Sequence, residues 1–403
     1  MKISNVLHKW FQIGMKKYSN SALSNPQSYI VTGSGILFRD YFIGFLSGLD
    51  GENRSRSYTI TVTMAAHIID GLGNYKMSEL NKDVLRKFIN GFAKQKYLKN
   101  ARTNEYAYYS QSTINKVYNL LHMAIKEAAS EDGEKLLRID YMENIKKPRT
   151  RQAQKPPLKA FSHNELQQLL KAIRESRVIT TWICIMLYTG IRPSEALALM
   201  WKDINYQEGT IEISKALSQE DYFDISSHHK IKPSVPVITD LKNERDSNKS
   251  NWQRRTLRVG KGLLNILSEW EQFVKGDAAL MKKKRECGTE EYLFCGSKGQ
   301  LWLYEYYSEI YKRLLEKHGL KYSDYNPYRF RHNYCTCLFR ANVNIKAAQL
   351  IMGDNTPTMV MKVYANLDKS DVLKGSGDLS ESIDEAFFSN KHIDSPYSDI
   401  LSE

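Results

Sequence analysis

Tyr328-Arg329-Phe330-Arg331-His332, followed by Met352-Gly353-Asp354 and then Tyr364, is the part of the sequence that most restricts what this chain can be. The arginine–histidine pair opens a predicted helical segment, and the tyrosine follows after two further short helices. This order suits a tyrosine nucleophile that attacks a phosphate whose charge is held by arginine side chains. A lone tyrosine would indicate little, because the chain contains 25 of them. The prediction therefore rests on the ordered set.

A second motif lies upstream, at Thr189-Gly190-Ile191-Arg192-Pro193-Ser194-Glu195. Gly190 permits a tight helix exit, and Pro193 is favoured in the first turn of a new helix. Arg192 then lies just before that helix, where Glu195, three residues on, can brace it. Arginine offers a rigid, always charged fork that matches phosphate oxygens. Taken alone, such an Arg–Glu pair at a helix start is more often structural.

The charge of the chain favours a polyanionic partner. The formal net charge is +13, and the segment from Gly375 to Glu403 has seven acidic residues and one lysine, so the chain without this tail carries +19. Nucleic acid is the default partner for a basic body of this size, and a merely soluble basic protein is the alternative. Five cysteines without disulfide-framework spacing predict free thiols. With no signal peptide or membrane-spanning run, we expect a soluble intracellular protein without a membrane role.

Periodicity predicts a mainly α fold with a small β-sheet (α+β). Residues 57–145 show helical spacing and predict a compact helical unit, whereas residues 1–56 form a segment of unclear role. A linker at 146–157 has five basic residues and three prolines, and either lies along phosphates or is simply solvated. Ser162 and Glu165 form a predicted capping box at the start of a second domain, 158–374, before the acidic tail 375–403.

Short β-branched or alternating runs locate the predicted strands in the second domain. Residues 210–213, 235–238 and 256–259 predict one small sheet, and residues 292–295 predict a short additional strand.

The joint set of motifs, ending in Val363-Tyr364, resembles the tyrosine recombinase (phage integrase) family over residues 57–367. The resemblance implies a helical core-DNA-binding domain with a SAM-like fold, joined by the basic linker to a mixed α/β catalytic domain, the two forming a C-shaped clamp on DNA. It implies that Arg192 and Arg331 bind the non-bridging oxygens of the scissile phosphate. Tyr364 would then attack the phosphorus and leave a 3′-phosphotyrosyl link with a free 5′-hydroxyl.

The resemblance also implies a lysine on a β-hairpin that protonates the leaving 5′-oxygen. Lys249 matches this position best, six residues before Arg255, and Lys242 and Lys261 are less well placed. An ordinary hairpin lysine facing solvent is an equal alternative for Lys249. The family chemistry requires neither a metal ion nor a cofactor, because the arginines and the lysine supply the positive charge.

Two positions depart from the family pattern. Tyr328 stands where the family usually has histidine, and Asp354 stands where it has histidine or tryptophan. Tyr328 can donate a hydrogen bond to a phosphate oxygen but is a poor base. Asp354 would be repelled by a phosphate, so we expect it to turn away and accept bonds from the backbone or from Tyr364. His332 is more often a buried structural partner in the family, and we expect the same here.

The candidate catalytic residues are therefore Arg192, Lys249, Arg331, Tyr364, Tyr328 and Asp354. The favoured function is a site-specific recombinase that integrates or excises a phage or mobile element. We expect it to be cytoplasmic and nucleoid-associated, and to act as a homotetramer on specific double-stranded DNA sites, with an accessory DNA-bending or directionality factor. The main alternative is a catalytically impaired DNA-binding regulator on a recombinase scaffold. A type IB topoisomerase-like enzyme would share the chemistry without requiring two specific sites.

Overall fold

The computed structural model describes residues 35–49, 55–100, 104–130, 136–153, 159–223, 230–241, 254–354, 357–358 and 360–361. Two predicted catalytic residues, Lys249 and Tyr364, lie outside these described residues, as does the acidic tail. The chain divides into two compact units. The first comprises residues 1–155 and 220–234, and the second comprises residues 156–219 and 235–403.

The described part of the first unit is a helical bundle that carries one β-hairpin. Its elements are α1 (Phe38–Leu49), α2 (Ser55–Leu72), α3 (Lys82–Lys94), β1 (Lys96–Asn100), β2 (Glu105–Tyr108) and α4 (Gln111–Ala129). Side-chain caps fix two helix starts, because Asn81 accepts hydrogen bonds from the first turn of α3 and Ser110 accepts one from Thr113 in α4. The helices predicted from periodicity are confirmed. The β1–β2 hairpin inside the predicted all-helical stretch was not predicted.

The core of the first unit is a single apolar cluster to which the helices contribute the faces predicted by their spacing. Phe38, Phe42 and Leu46 of α1 pack in the same cluster as Ile114 and Leu121 of α4. Part of the segment to which the sequence assigned no clear role is thus built into this core.

The described part of the second unit is mostly helical and includes small antiparallel sheets, which confirms the predicted α+β class. Its helices are α5 (His163–Ile173), α6 (Arg177–Thr189), α7 (Pro193–Ala196), α8 (Lys261–Gly276), α9 (Ala278–Glu286), α10 (Tyr304–Lys317), α11 (Pro327–Arg340) and α12 (Ile345–Met352). The capping box predicted at Ser162 and Glu165 is present, because each residue's side chain accepts the other's backbone N–H. Every residue of α6 from Ile179 to Thr189 is buried, so this helix forms the centre of the unit.

The strands are β3 (Ile204–Asn205), β4 (Thr210–Ile213), β5 (Lys215–Phe223), β6 (Lys230–Asp240) and β7 (Arg255–Arg258). β3, β4 and β7 form one antiparallel sheet in which Ile211 lies opposite Leu257. The prediction of a single sheet is wrong, since β6, which contains residues 235–238, pairs with β5 in a separate two-stranded sheet. The predicted strand at 292–295 is also wrong, because only Tyr292 forms an isolated bridge, to Met200.

No helix within the described residues is long and apolar enough to cross a membrane.

Candidate active site

The first element of the site is the turn between α6 and α7. Gly190 ends α6 with φ of 63°, a left-handed conformation that favours glycine, and a Cβ there would lie 2.3 Å from Cδ1 of Tyr334 on α11. The tight turn places Arg192 at the N-cap of α7. Its backbone N–H donates to Oε2 of Glu195 at 3.0 Å, and its Nη1 donates to Oε1 at 2.7 Å. The predicted brace of Arg192 by Glu195 is therefore present.

The second element is Arg331 on α11, whose side chain is 1% exposed. Its Nη1 donates to the main-chain carbonyl of Gly190 at 3.0 Å, and its Nη2 donates to that of Met352 at 2.6 Å. Two rigid backbone groups thus fix the guanidinium, which costs less side-chain entropy than holding it with flexible partners. Arg331 ties the end of α6 to the end of α12.

The third element is the turn after α12. Gly353 has φ of 64°, and Asp354 follows it as a buried residue. Oδ1 of Asp354 accepts hydrogen bonds from Nη2 of Arg192 at 2.6 Å and from Nη2 of Arg331 at 2.8 Å. Three segments that are far apart in sequence therefore meet at one carboxylate oxygen.

A further arginine, Arg255 on β7, completes the cluster. Its Nη2 donates to Oε2 of Glu195 at 2.8 Å, and its Nε donates to the carbonyl of Ile351 at 2.7 Å. The sequence interpretation used Arg255 only as a landmark for Lys249 and missed this role. Strand alternation could have predicted that Arg255 points inward, because it places Arg255 on the same face of the strand as the buried Leu257.

The charges of the cluster perturb one another. Burial, and next the positive charge of Arg192, lower the pKa of Arg331 to about 10, against the opposing effect of Asp354. For Glu195, burial acts to raise the pKa, but Arg255 and Arg192 outweigh it and hold the pKa below its usual value. Arg331 is therefore charged and Glu195 ionised at neutral pH. Three guanidinium groups facing two carboxylates leave a formal excess of one positive charge, which suits an anionic ligand.

The structure joins Arg192, Arg331 and Asp354 by hydrogen bonds and places Tyr328 one turn before Arg331 on α11. Tyr328 lies in the first turn of α11 with 56% of its surface exposed, and among the described residues it makes no hydrogen bond to either arginine. The expectation that the Asp354 side chain accepts hydrogen bonds from the backbone or from Tyr364 is wrong for Oδ1, which accepts them from Arg192 and Arg331, because opposite charges at hydrogen-bond distance attract strongly in a buried site.

His332, beside Arg331, is more than half-buried, and burial together with Arg329 lowers its pKa, so the imidazole is neutral at pH 7. Its Nδ1 has no hydrogen-bond partner within the described part of the chain. All five cysteines are free thiols, as predicted. Among the described residues, no group of three or more His, Cys, Asp and Glu side chains could hold a metal ion.

Known proteins resemble this chain in sequence and in fold. The model of the phage integrase family matches residues 159–371. The "Tyrosine recombinase XerC-like" protein of Caldanaerobacter subterraneus subsp. tengcongensis is 22% identical over 218 residues, which are 52% of this chain and 51% of that protein. The chain thus matches about half the length of this curated relative.

Two solved structures share the fold. The Tn1549 transposon integrase in complex with transposon right end DNA has a TM-score of 0.57 and 16% identity, over 88% of this chain and all of that one. The lambda integrase tetramer bound to a Holliday junction has a TM-score of 0.53 and 12% identity, over 90% and 88% of the two chains.

The family match covers more than half of the sequence and contains the turn after α6, β7, α11 and the turn after α12, so this chain belongs to the phage integrase family.

Proposed function

We propose that this chain is a site-specific DNA recombinase that cuts and rejoins double-stranded DNA through a 3′-phosphotyrosyl intermediate. The observation that supports this most directly is the convergence of Arg192 and Arg331. One guanidinium nitrogen of each lies 2.6 Å and 2.8 Å from the same anionic oxygen. A pair of arginines that can approach one oxygen so closely can also hold the two non-bridging oxygens of one phosphodiester.

The two arginines differ in a way that fits phosphate binding. Arg331 is buried and fixed by main-chain carbonyls, whereas the side chain of Arg192 is 29% exposed. Arg192 can therefore contact a DNA phosphate at the surface, while the buried Arg331 supplies a positive charge that is already fixed in position. Such fixed donors stabilise the charge that builds on the phosphate oxygens in the pentavalent transition state.

The proposed chemistry transfers one phosphoryl group twice. The hydroxyl oxygen of Tyr364 gives up its proton to solvent and attacks the phosphorus, the bond to the 5′-oxygen breaks, and Lys249 gives that oxygen a proton. The 3′-phosphotyrosyl link keeps the energy of the phosphodiester, so a 5′-hydroxyl can attack it and restore a DNA strand without ATP. Tyr328 would donate a hydrogen bond to a phosphate oxygen from the exposed first turn of α11.

We infer the assembly from the same family membership. The helical unit at 57–145 and the catalytic domain at 158–374 would hold DNA from two sides, with the basic linker 146–157 along the phosphates. Four protomers would exchange strands between two specific sites of a phage or mobile element, with an accessory DNA-bending or directionality factor. The protein would act in the cytoplasm, on the nucleoid. DNA affinity should fall with salt by about 0.9 log units per phosphate contact per log unit of salt.

A nicked suicide substrate tests the proposed function. The substrate carries DNA that flanks the gene and has a nick close to the cleavage site. After cleavage, the short fragment that bears the new 5′-hydroxyl diffuses away, which prevents religation. We expect a protein–DNA band that survives denaturation. Specific DNA binding without such a band would instead show that the chain is a DNA-binding regulator in which cleavage has been lost.

A further inference from the structure

Asp354 uses only half of its hydrogen-bonding capacity. Oδ1 accepts from Arg192 and Arg331, whereas Oδ2 is buried and receives no donor from the part of the chain that the structure describes. An amide oxygen could accept the same two hydrogen bonds. What the carboxylate adds at this position is its negative charge.

The negative charge of Asp354 lies in a cluster of three arginine side chains. Arg331 is faced by Arg192 and Arg255 as well as by the carboxylates of Asp354 and Glu195, and the thiol of Cys335 lies one turn further along α11. Glu195 is already shared between Arg192 and Arg255. Asp354 is therefore the carboxylate that pairs directly with Arg331 among the described residues.

Two hydrogen bonds with Gln349 hold the backbone of Asp354 in place. Its N–H donates to the carbonyl of Gln349 at 3.1 Å, and its own carbonyl accepts from Nε2 of Gln349 at 2.9 Å. Asp354 is 7% exposed, whereas Arg192 has an open side toward solvent. A phosphate arriving from solvent can therefore reach the exposed part of the Arg192 side chain.

We propose that Asp354 is a positioning residue, a fixed negative charge that holds the guanidinium groups of Arg192 and Arg331 together so that both can bind one phosphate. This inference rests on the proposed function and assigns Asp354 a part in it. Asp354 acts through the arginines and does not touch DNA. The imidazole or indole that similar family members carry here would instead act on the phosphate itself.

Asp354→Asn tests the charge alone, because it keeps an acceptor at Oδ1. The readouts are the single-turnover rate of adduct formation on the nicked substrate between pH 7 and 10.5, the Kd for intact DNA, and the thermal unfolding midpoint. The matched control is Asp277→Asn, since Asp277 is an exposed N-cap in the same unit and asparagine caps helices equally well. It makes the same charge change away from the cluster.

We expect Asp354→Asn to slow adduct formation roughly 10- to 100-fold at pH 8, because the two hydrogen bonds from the arginines remain but lose the charge of their acceptor, and charge-assisted hydrogen bonds are about twice as strong as neutral ones. The Kd for DNA should change less than threefold. Since the Asp354 carboxylate raises the pKa of Arg331, its loss lowers that pKa, and the alkaline fall in rate should move to lower pH. The control should match the wild type in all three readouts.

An unchanged rate, or an equal slowing at every pH without a shift of the alkaline limb, would overturn the inference. Asp354→Ala is the second variant, in case asparagine prevents folding. It also lacks the fixed negative charge and should show the same shift, so full activity with alanine would contradict a positioning charge. A wild-type protein that forms no adduct defeats the proposed function, whereas a wild-type adduct with an unaffected Asp354→Asn variant defeats only this inference.

Discussion

Arg329 and Arg331 lie two residues apart on α11, and both are buried, yet they serve different parts of the second unit. Two residues correspond to about 200° around a helix, so their side chains leave on opposite sides. Arg329 donates to Oε1 of Glu165 at 2.9 Å and to three main-chain carbonyls. Arg331 donates to two main-chain carbonyls and to Asp354, which it shares with Arg192.

The two residues differ in one respect that fits the phosphate binding proposed for Arg331. Burial, a carboxylate partner and carbonyl acceptors occur at both residues. Arg331 shares its carboxylate partner, Asp354, with a second arginine, Arg192, whereas Arg329 does not share Glu165 in this way within the described residues. The side chain of Arg192 is partly exposed to solvent. Arg329 instead lies 4.0 Å from the ring centre of Phe161, so it fastens the start of the unit to α11.

Arg331→Met should have the largest effect. It removes the donor that we propose stabilises transition-state charge, so we expect adduct formation to fall by about 10²- to 10³-fold. It also leaves Asp354 without its buried partner, which should lower the free energy of unfolding by about 3–5 kcal/mol. Single-turnover cleavage and urea unfolding measure the two effects. A rate within tenfold of the wild type would remove Arg331 from the phosphate site.

Arg329→Met should affect stability alone. The loss of its charged hydrogen bonds should lower the free energy of unfolding by about 2–3 kcal/mol, but the rate of adduct formation by folded protein should stay within threefold of the wild type. Cleavage at a temperature where the variant is fully folded provides the measurement. A hundredfold loss of rate there would show that the two arginines do not divide the roles as described.

Glu165→Gln should have the smallest effect and depend on pH. Burial acts to raise the pKa of Glu165, but the hydrogen bonds from Ser162 and Arg329 outweigh it and lower the pKa. A carboxyl group whose pKa is lowered in the folded state stabilises the protein at pH values above its unfolded pKa, near 4.5. This stabilisation is lost as the pH falls through the folded pKa. Because Glu165 is partly exposed, screening by solvent limits the contribution of its pair with Arg329 to about 1 kcal/mol at pH 7. The difference in unfolding free energy between variant and wild type should be larger at pH 7 than at pH 3.

The sequence predicted the parts of the structure that depend on local pattern. Helix periodicity, the Ser162–Glu165 capping box and the glycine exit at Gly190 were all found where the pattern put them. The brace between Glu195 and Arg192 is likewise local, because the two residues share one short helix start. The family resemblance correctly identified the fold.

The sequence could not predict the contacts that depend on tertiary arrangement. Arg255 lies on a strand and Asp354 lies in a turn, and both are far from Arg192 in the sequence. Local spacing rules therefore could not predict that they contact the same cluster. The Asp354 prediction considered repulsion by a phosphate and overlooked attraction by two arginines, which is the larger effect in a buried site. The strand predicted at residues 292–295 failed for a related reason, because a short apolar run is compatible with a buried irregular segment.

The most direct test of the account is to identify the amino acid that carries the DNA. The trapped adduct should be digested with a protease and a nuclease, and the nucleotide-bearing peptide sequenced by mass spectrometry, with Tyr364→Phe as the matched control. We predict that the 3′-phosphate is attached to Tyr364, one of 25 tyrosines, and that Tyr364→Phe binds DNA but forms no adduct. Attachment to any other residue, or an adduct that persists in Tyr364→Phe, would contradict it.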